Sequence, residues 1–307
     1  MSETISYIQR REIDIEKWNA CVEVAPNGLI YARSWWLDEM ADNWDALVVG
    51  DYDVVMPLTW KSKYGIKYLY QPYFTASLGP FYKPGNKIAL KDFIKAIPAA
   101  FKFVDIDINE FASKDNVTDP GISTVSRTNY LIPCTNEYDG NKSYNRLAKR
   151  KINVALSSDI IFSNEVSIDS IISKYKENYQ DVHRSISDAD YKRLAAVCNF
   201  ALDKKNISTY GAFHGGELIA FYLVLHDQRY AYSLLGGSNA AGKEMGAFYF
   251  LTHRAIEDAK LRKNTFRFEG SDIEGIAFFN KQFGSVPVSY LHIKINRLPW
   301  PLSLMKQ

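Results

Sequence analysis

The sequence contains few of the residues that build metal sites and disulfide frameworks. It has three cysteines in 307 residues, Cys21, Cys134 and Cys198, and long segments separate them. Such spacing forms no pairable framework, so we expect reduced thiols in a cytoplasmic protein. The five histidines are scattered as well, and no His/Cys cluster has the spacing of zinc ligands. We therefore expect no metal site.

Charge of one sign and long hydrophobic runs are also scarce. The net charge is only +2, which gives no sign of a dedicated nucleic-acid binder and makes any anion site a local feature. The longest apolar runs, such as residues 218–225, are too short to cross a bilayer. The charged N-terminal segment lacks the apolar core of a signal peptide. We expect no membrane span, and the sequence leaves the oligomeric state open.

What is present is an ordinary globular mixture, with 47% hydrophobic and 23% charged residues. A chain of this length suits two units of about 150 residues each. The polar, turn-rich stretch 133–141 predicts the boundary, with domains over residues 1–137 and 138–307. Tyrosine is frequent, at 20 residues. Half-exposed strands explain that frequency, and a polar-aromatic cleft is the alternative.

The second half has a regular order of predicted elements. Strands over 208–213, 218–225 and 230–235 form a meander, because short turns separate them. A loop of small residues, 236–246, leads to a helix over 247–262 and a strand over 265–269. This crossover makes 230–235 and 265–269 parallel neighbours. A short helix over 273–282 and a strand over 286–295 complete the order, and helices over 144–157, 168–179 and 188–204 should cover the sheet.

The first half repeats this order. Strands over 46–49, 54–60 and 66–70 form a meander, and a loop over 71–85, a helix over about 87–101 and strands over 103–108 and 124–132 follow. We interpret the repeat as a structural duplication, with coincidence as the alternative. The order in the second half resembles that of a GNAT acyltransferase core, and the first half shares it. The predicted fold class is α/β (α+β): two tandem GNAT-like domains, each a mixed, largely antiparallel sheet with covering helices, the first of them degenerate.

Four segments of the second half resemble the Fem aminoacyltransferases, which build peptidoglycan, and their BioF2-like relatives. They are residues 145–155 (NRLAKRKINVA), 232–238 (YSLLGGS), 266–271 (FRFEGS) and 278–288 (FFNKQFGSVPV). The first half matches more loosely through 31–36 and 70–79. The resemblance implies transfer of an amino acid from aminoacyl-tRNA to an amine on a cell-wall precursor. No coiled-coil stretch corresponds to the helical arm of many Fem proteins, which puts a tRNA contact through such an arm in doubt.

The candidate donor site is the loop before the helix at 247–262. GNAT enzymes bind the donor pyrophosphate on backbone N–H groups at such a helix start, through a Gln/Arg-x-x-Gly-x-Gly/Ala loop. Lys243 and Gly246 fit the start of this pattern, and Phe248 departs from its last position. Gly236 and Gly237, which precede the loop, complete the predicted donor site. The alternative is an ordinary helix-entry loop.

The candidate catalytic residues are Glu269, Tyr232 and Ser271. Acyl transfer to an amine needs a neutral amine, a polarised carbonyl and a proton for the leaving group. Glu269 and Ser271 follow a predicted parallel strand, where ligands of open sheets bind. For Glu269 the alternative is a salt bridge to Arg267. The tyrosine that many GNAT enzymes use as general acid is missing from 278–281, so that role is either absent or filled by another hydroxyl, such as that of Tyr232 or Tyr249. For Tyr249 the alternative is a partly buried helix residue.

A second set of residues is predicted to bind anions or the acceptor. Arg146, Lys149 and Arg150 fall on one helix face, in a stretch from residue 141 to 158 with five basic residues and no acidic one. That face suits a diphosphate or a tRNA backbone, and a solvated basic face is the alternative. Gln71 and Tyr73 occupy the counterpart of the donor loop in the first half, where a solvent-exposed loop is the alternative. Lys281, in the short last helix, completes the set.

Three functions remain open from the sequence. The first is aminoacyl or acyl transfer to an amine on a small molecule or a cell-wall precursor, with aminoacyl-tRNA or acyl-CoA as co-substrate. The second is an acyl-CoA-dependent N-acyltransferase, and the third is a non-catalytic binding protein on a GNAT fold. None of them requires a permanently bound cofactor.

Overall fold

A computed structural model describes residues 4–86, 89–112, 117, 119, 121–134, 138–179, 182, 184–270 and 272–303. The chain packs as two units. The first comprises Met1–Arg127 and Ser289–Gln307, and the second comprises Thr128–Val288. The sequence predicted a division near residue 137 and left the C-terminal segment with the second domain. Packing instead divides the chain at residue 127 and gives the last strand to the first unit.

The first unit is a sheet with short helices. Its strand order is β1-β2-β3-β4-β6-β13, with β5 paired to β3. The elements of this unit are β1 (Ile5–Ile8), α1 (Ile15–Val24), α2 (Ser34–Met40), β2 (Asn43–Val49), β3 (Val54–Lys63), β4 (Ile66–Tyr70), β5 (Phe81–Tyr82), α3 (Leu90–Ala96), β6 (Phe101–Ile108) and β13 (Val286–Asn296). The core forms where apolar residues of β2, β3 and β6 meet Leu90, Phe93 and Ile94 of α3.

The second unit is the larger α/β layer structure. Its strand order is β7-β12-β11-β10-β9-β8. The strands are β7 (Ile122–Pro133), which begins in the first unit, β8 (Ile161–Ser163), β9 (Ile207–His214), β10 (Glu217–His226), β11 (Tyr230–Ser238) and β12 (Thr265–Arg267). The helices are α4 (Gly140–Ser143), α5 (Arg146–Leu156), α6 (Ile168–Tyr179), α7 (Asp188–Asp203), α8 (Ala240–Glu244), α9 (Ala247–Leu261) and α10 (Glu274–Lys281).

The predicted duplication is present in the strand pairing. In the first unit β4 and β6 are parallel neighbours joined through α3, and in the second β11 and β12 are parallel neighbours joined through α9. An antiparallel strand then borders each pair, but it comes from the other half of the chain. β13 pairs with β6, and β7 pairs with β12. The tandem GNAT-like fold class is therefore confirmed, with an exchange of the last strands.

Local sequence explains the elements that differ from prediction. Within the predicted loop 236–246, β11 continues to Ser238, and the Asn239 side chain then accepts from the Gly242 N–H and caps the short helix α8. The helix predicted over about 87–101 begins at Leu90 and ends at Ala96. It stops there because Pro98 disfavours helical backbone at the preceding residue. None of the helices in the described part of the chain is long and apolar enough to span a membrane.

Candidate functional site

The candidate site lies where two parallel strands separate. β12 accompanies β11 through three residue pairs, of which Tyr232–Arg267 is the last. β11 continues along β10 to Ser238, and an extra residue interrupts that pairing, since Leu223 faces Leu235 while Val224 faces Ser233. Bulges of this kind re-aim side chains and are frequent next to active sites. The edge of β11 beyond Tyr232 therefore opens toward a cleft.

The cleft has a volume of about 690 Å³, within the range of small-molecule sites. Its walls come from α6, β10, β11, the α8–α9 segment, the residue after β12, and α10. Lys243 is the one charged side chain among the described residues that line it, and most of the other large side chains are aromatic. The four residues predicted to bind the donor all line this cleft: Gly236, Gly237, Lys243 and Gly246.

Gly246 begins α9 with a left-handed backbone, at φ 70°. No side chain caps this 15-residue helix, so the N–H groups of its first turn remain available to an anion. A Cβ at Gly246 would lie 2.3 Å from the carbonyl oxygen of Lys151 in α5. The Lys151 Nζ donates to the carbonyls of Lys243 and Glu244, at 3.2 and 3.3 Å. Both the conformation and the close approach to α5 therefore require glycine at this helix start.

Gly236 and Gly237 are glycines because aromatic rings lie against the strand on both of its faces. A Cβ at Gly236 would lie 2.6 Å from Tyr222 Cδ2 and 2.7 Å from Phe248 Cε2. A Cβ at Gly237 would lie 2.5 Å from the hydroxyl oxygen of Tyr179. The glycine pair that the sequence indicated thus creates room for rings, which line the cleft.

Asn280 of α10 is the polar group in the cleft that sequence reasoning missed. Its side chain is 2% exposed, and its Nδ2 has no hydrogen-bond partner. A buried amide donor without a partner is costly unless a ligand or water satisfies it. The signal in the sequence was an asparagine within the apolar stretch 277–280 of a short helix. Its proximity to the donor loop is a tertiary feature.

Three hydroxyl groups in the cleft are candidate proton donors. Tyr222 donates to the Ser233 Oγ at 2.8 Å, which leaves the serine proton free to point elsewhere. Burial raises the pKa of Tyr222 and that of Tyr249 above the ordinary value. Both phenols therefore stay protonated at neutral pH. Tyr249, which the sequence suggested as a substitute general acid, lines the cleft, and its ring contacts Phe279 at 4.8 Å between centroids.

The structure places Glu269 and Tyr232 in a buried cluster around Arg267 rather than in the lining of the cleft. Arg267 is fully buried, and its Nε lies 2.9 Å from the Glu269 Oε1. Its guanidinium also lies 5.7 Å from the ring centre of Tyr232. The Tyr232 hydroxyl donates to Asp227, in the turn before β11, and so points away from the Ser238 end of the strand. The salt-bridge alternative for Glu269 is the arrangement observed.

The segment after β12, residues 269–270, makes a turn. Glu269 has a positive φ of 59°, and Gly270 follows at 85°, so the chain makes a strained turn directly after β12. The Gly270 N–H donates to the Asn129 side chain of β7 at 2.8 Å, which holds the turn. Ser271, the third predicted catalytic residue, lies outside the described residues.

The predicted basic face is exposed on α5. Ala148, Ile152 and Ala155 form the buried side of this helix, and Arg146 and Arg150 are exposed, with Lys149 partly so. None of these three basic residues lines the cleft, although the next residue of α5, Lys151, holds the donor loop. The face is therefore compatible both with solvation and with a polyanion.

The remaining predicted residues, Lys281, Gln71 and Tyr73, are not among the residues that line the cleft. Lys281 is exposed on α10, with its Nζ 5.7 Å from the ring centre of Tyr130. In the first unit, Gln71 Nε2 donates to the Thr75 carbonyl at 2.8 Å, and its Oε1 accepts from the Asp107 N–H at 3.1 Å. Gln71 thereby closes its own loop onto β6. Tyr73 is partly buried in that loop.

The described residues were also compared with the requirements of a metal site. Among the described residues, no group of three or more His, Cys, Asp or Glu side chains is arranged to hold a metal ion.

Comparison with known proteins first defines the class of the second unit. Residues 143–269 match the family model of the acetyltransferase (GNAT) domain. The described cleft lies largely within this match, so the second unit carries an acyltransferase fold of the GNAT superfamily. No match was found among curated proteins.

Solved structures extend the likeness to almost the whole chain. The crystal structure of FemX matches at a TM-score of 0.69 and 13% identity, covering 98% of this chain and 99% of that one. The C-terminal domain of a putative lysylphosphatidylglycerol synthetase from Agrobacterium fabrum matches at 0.59 and 11%, covering 95% and 94%. A tandem GNAT protein from the clavulanic acid biosynthesis pathway matches at 0.55 and 10%, covering 96% and 99%. The predicted Fem-like, tandem GNAT fold is confirmed.

Proposed function

We propose that this protein transfers an acyl group from a coenzyme A thioester to an amine, in the cleft of the second unit. The observation that carries the proposal is the start of α9. There an uncapped helix begins at left-handed Gly246, beside Lys243, and Asn280 presents a buried, unpartnered amide in the same cleft. Helix N–H groups suit the donor pyrophosphate. The Asn280 Nδ2 suits a carbonyl of the donor arm.

Acyl transfer from a thioester to an amine requires few catalytic groups. The neutral amine nitrogen attacks the thioester carbonyl, the new C–N bond forms and the C–S bond breaks. The sulfur takes up a proton from a hydroxyl of the cleft, and the nitrogen releases one proton, which restores that hydroxyl. Tyr249, or the Tyr222–Ser233 pair, supplies the proton that the sulfur takes up, since these hydroxyl groups line the cleft and stay protonated at neutral pH. The described lining contains no carboxylate or imidazole that would act as a base. The amine must therefore arrive neutral, and positioning supplies much of the rate.

The proposal also specifies the acceptor. The Fem-like fold favours an amine on a small molecule or a cell-wall precursor in the cytoplasm, and Lys281 on α10 is the residue of the second unit proposed to contact it. Aminoacyl-tRNA is the second candidate donor. The exposed Arg146, Lys149 and Arg150 of α5 favour it, because phosphate backbones bind to such faces.

A thermal-shift panel tests the donor. The purified chain is heated with acetyl-CoA, a longer acyl-CoA, an aminoacyl-tRNA or a UDP-linked muropeptide. A ligand at 100 times its dissociation constant stabilises the folded state by about 2.7 kcal/mol. We expect a shift with acyl-CoA that Lys243→Ala and Asn280→Leu each reduce. Arg150→Ala serves as the matched control, because it removes an exposed cation outside the cleft.

The outcomes separate the candidates. A shift with tRNA that Arg150→Ala abolishes, without any response to CoA, would establish the aminoacyl donor instead. A response to acyl-CoA without turnover for any amine tested would indicate a binding protein on a GNAT fold. No response to any of the four ligands would contradict the proposal altogether.

A further inference from the structure

The cleft of the second unit is walled by aromatic rings to an unusual degree. Seven aromatic side chains line it, including two tyrosines of α6 and Phe248, Tyr249 and Phe279. Several of these rings are only partly buried by the protein itself. Partly exposed rings inside a concave site provide apolar area that a ligand covers on binding.

Phe248 is the residue that converts the donor site into an aromatic one. It stands at the position where the donor-loop pattern has a glycine or alanine, and its ring lies over Gly236. The ring stacks on Phe279, with centroids 5.2 Å apart and planes 21° apart, and meets the Tyr222 ring edge-on at 5.1 Å. The three rings form one continuous apolar wall, which extends onto Tyr249 through its contact with Phe279.

Charge and apolar surface are separated along the cleft. Lys243, in α8, is the one charged side chain of the described lining and lies close to Ser238. Ser238 lies five residue steps along the strand from Ser233, a distance of at most about 16 Å at 3.3 Å per step. At the Ser233 end the neighbours are Tyr222, bonded to Ser233, and Phe268, which follows the last β11–β12 pair. A ligand with an anionic head and an apolar tail matches this gradient.

We propose that the cleft selects a donor whose acyl group is large and apolar, either long-chain or aryl, over an acetyl donor. The inference rests on the proposed function and specifies its substrate class. An acetyl group is too small to cover the partly exposed rings of Phe248, Tyr249 and Phe279, which would stay in contact with water. A longer acyl group buries them, and each buried methylene tightens binding about fourfold.

Isothermal titration with acetyl-CoA, octanoyl-CoA and benzoyl-CoA tests the inference. We expect the two larger donors to bind at least about tenfold more tightly than acetyl-CoA, as two or more buried methylenes would give. Phe279→Leu and Phe248→Leu should each shrink the ratio of the acetyl to the octanoyl dissociation constant severalfold. Phe250→Leu is the matched control, since Phe250 lies in α9 but packs on Phe162, outside the cleft. That variant should leave the ratio unchanged.

The result that overturns the inference differs from the one that overturns the proposed function. Equal dissociation constants for the three donors, with Lys243→Ala weakening all of them, would refute the acyl selectivity and keep the donor site. A ratio that neither phenylalanine variant changes would refute the aromatic wall as its cause. Using two variants guards against one that fails to fold. Failure of every CoA compound to bind would refute both proposals.

Discussion

Substitution of Gly246 by alanine tests the geometry on which the donor site depends. The new Cβ meets two obstacles. The backbone at Gly246 has φ 70°, a region that costs an L-residue about 1–2 kcal/mol. The Cβ would also lie 2.3 Å from the Lys151 carbonyl oxygen. Because that neighbour is backbone of a packed helix, α5 and α9 must move apart by about 1 Å, and overpacking of this kind costs about 1–3 kcal/mol.

The two costs add to about 2–5 kcal/mol, and a matched variant separates them. Gly215 also has a positive φ, 57°, but nothing lies within 4 Å of a Cβ built on it. Gly215→Ala is therefore destabilised by the conformational term alone. Both variants lose the same flexibility in the unfolded chain, so that effect cancels in their difference. We expect Gly246→Ala to be less stable than Gly215→Ala by about 1–3 kcal/mol.

Urea unfolding followed by circular dichroism measures this difference. All six tryptophans, Trp18, Trp35, Trp36, Trp44, Trp60 and Trp300, belong to the first unit, so their fluorescence reports on that unit alone. In a thermal scan the same difference corresponds to about 2–4 °C per kcal/mol. Gly246→Ala should also weaken acyl-CoA binding, because α9 then starts in another place. Equal stability of the two variants would refute the contact between the donor loop and α5.

Three further predictions concern stability and turnover. Burial lowers the pKa of His226 to about 3, so between pH 6.5 and 3 the unfolded chain binds a proton that the folded chain excludes. The free energy of unfolding therefore decreases as the pH is lowered, by about 2 kcal/mol at pH 5. Urea unfolding at pH 5 and pH 8 should show this loss, and a His226→Gln variant with the same pH dependence would contradict it. Glu269→Gln removes the negative charge of a buried ion pair with Arg267 and should cost about 3–5 kcal/mol in thermal unfolding, while the folded fraction keeps its turnover. An unchanged melting temperature would mean that the pair is solvated. Tyr249→Phe should lower kcat about 100-fold with little change in donor affinity. An unchanged kcat would mean that the Tyr222–Ser233 pair, and not Tyr249, donates the proton.

Much of the second unit followed from local patterns. The apolar stripe of α9, the glycine turns of the β9–β11 meander and the strand–helix–strand crossover are all short-range features. They gave the parallel pairing of β11 with β12 and placed Lys243 and Gly246 at a helix start. The four donor residues line one cleft because they are neighbours in the chain, so their placement needed little tertiary information.

Features that depend on distant segments were not predictable in this way. Gly236 lies against the rings of Tyr222 and Phe248, which come from β10 and α9. Asn280 reached the cleft only because α10 packs beside α9. A side-chain pattern of period two shows which face of a strand is buried and says nothing of what lies across the cleft.

By itself, the sequence determined the type and order of most elements of the second unit, the repeat of that order in the first half, and the helix start at Gly246. Only the tertiary structure decided that β13 pairs with β6 and β7 with β12, that aromatic rings wall the cleft, and that Asn280 lies in it. The physical reason is the range of the interactions. Helix periodicity and turn chemistry act over a few residues, whereas strand partners, ring contacts and buried ion pairs join segments separated by many residues or by a buried core.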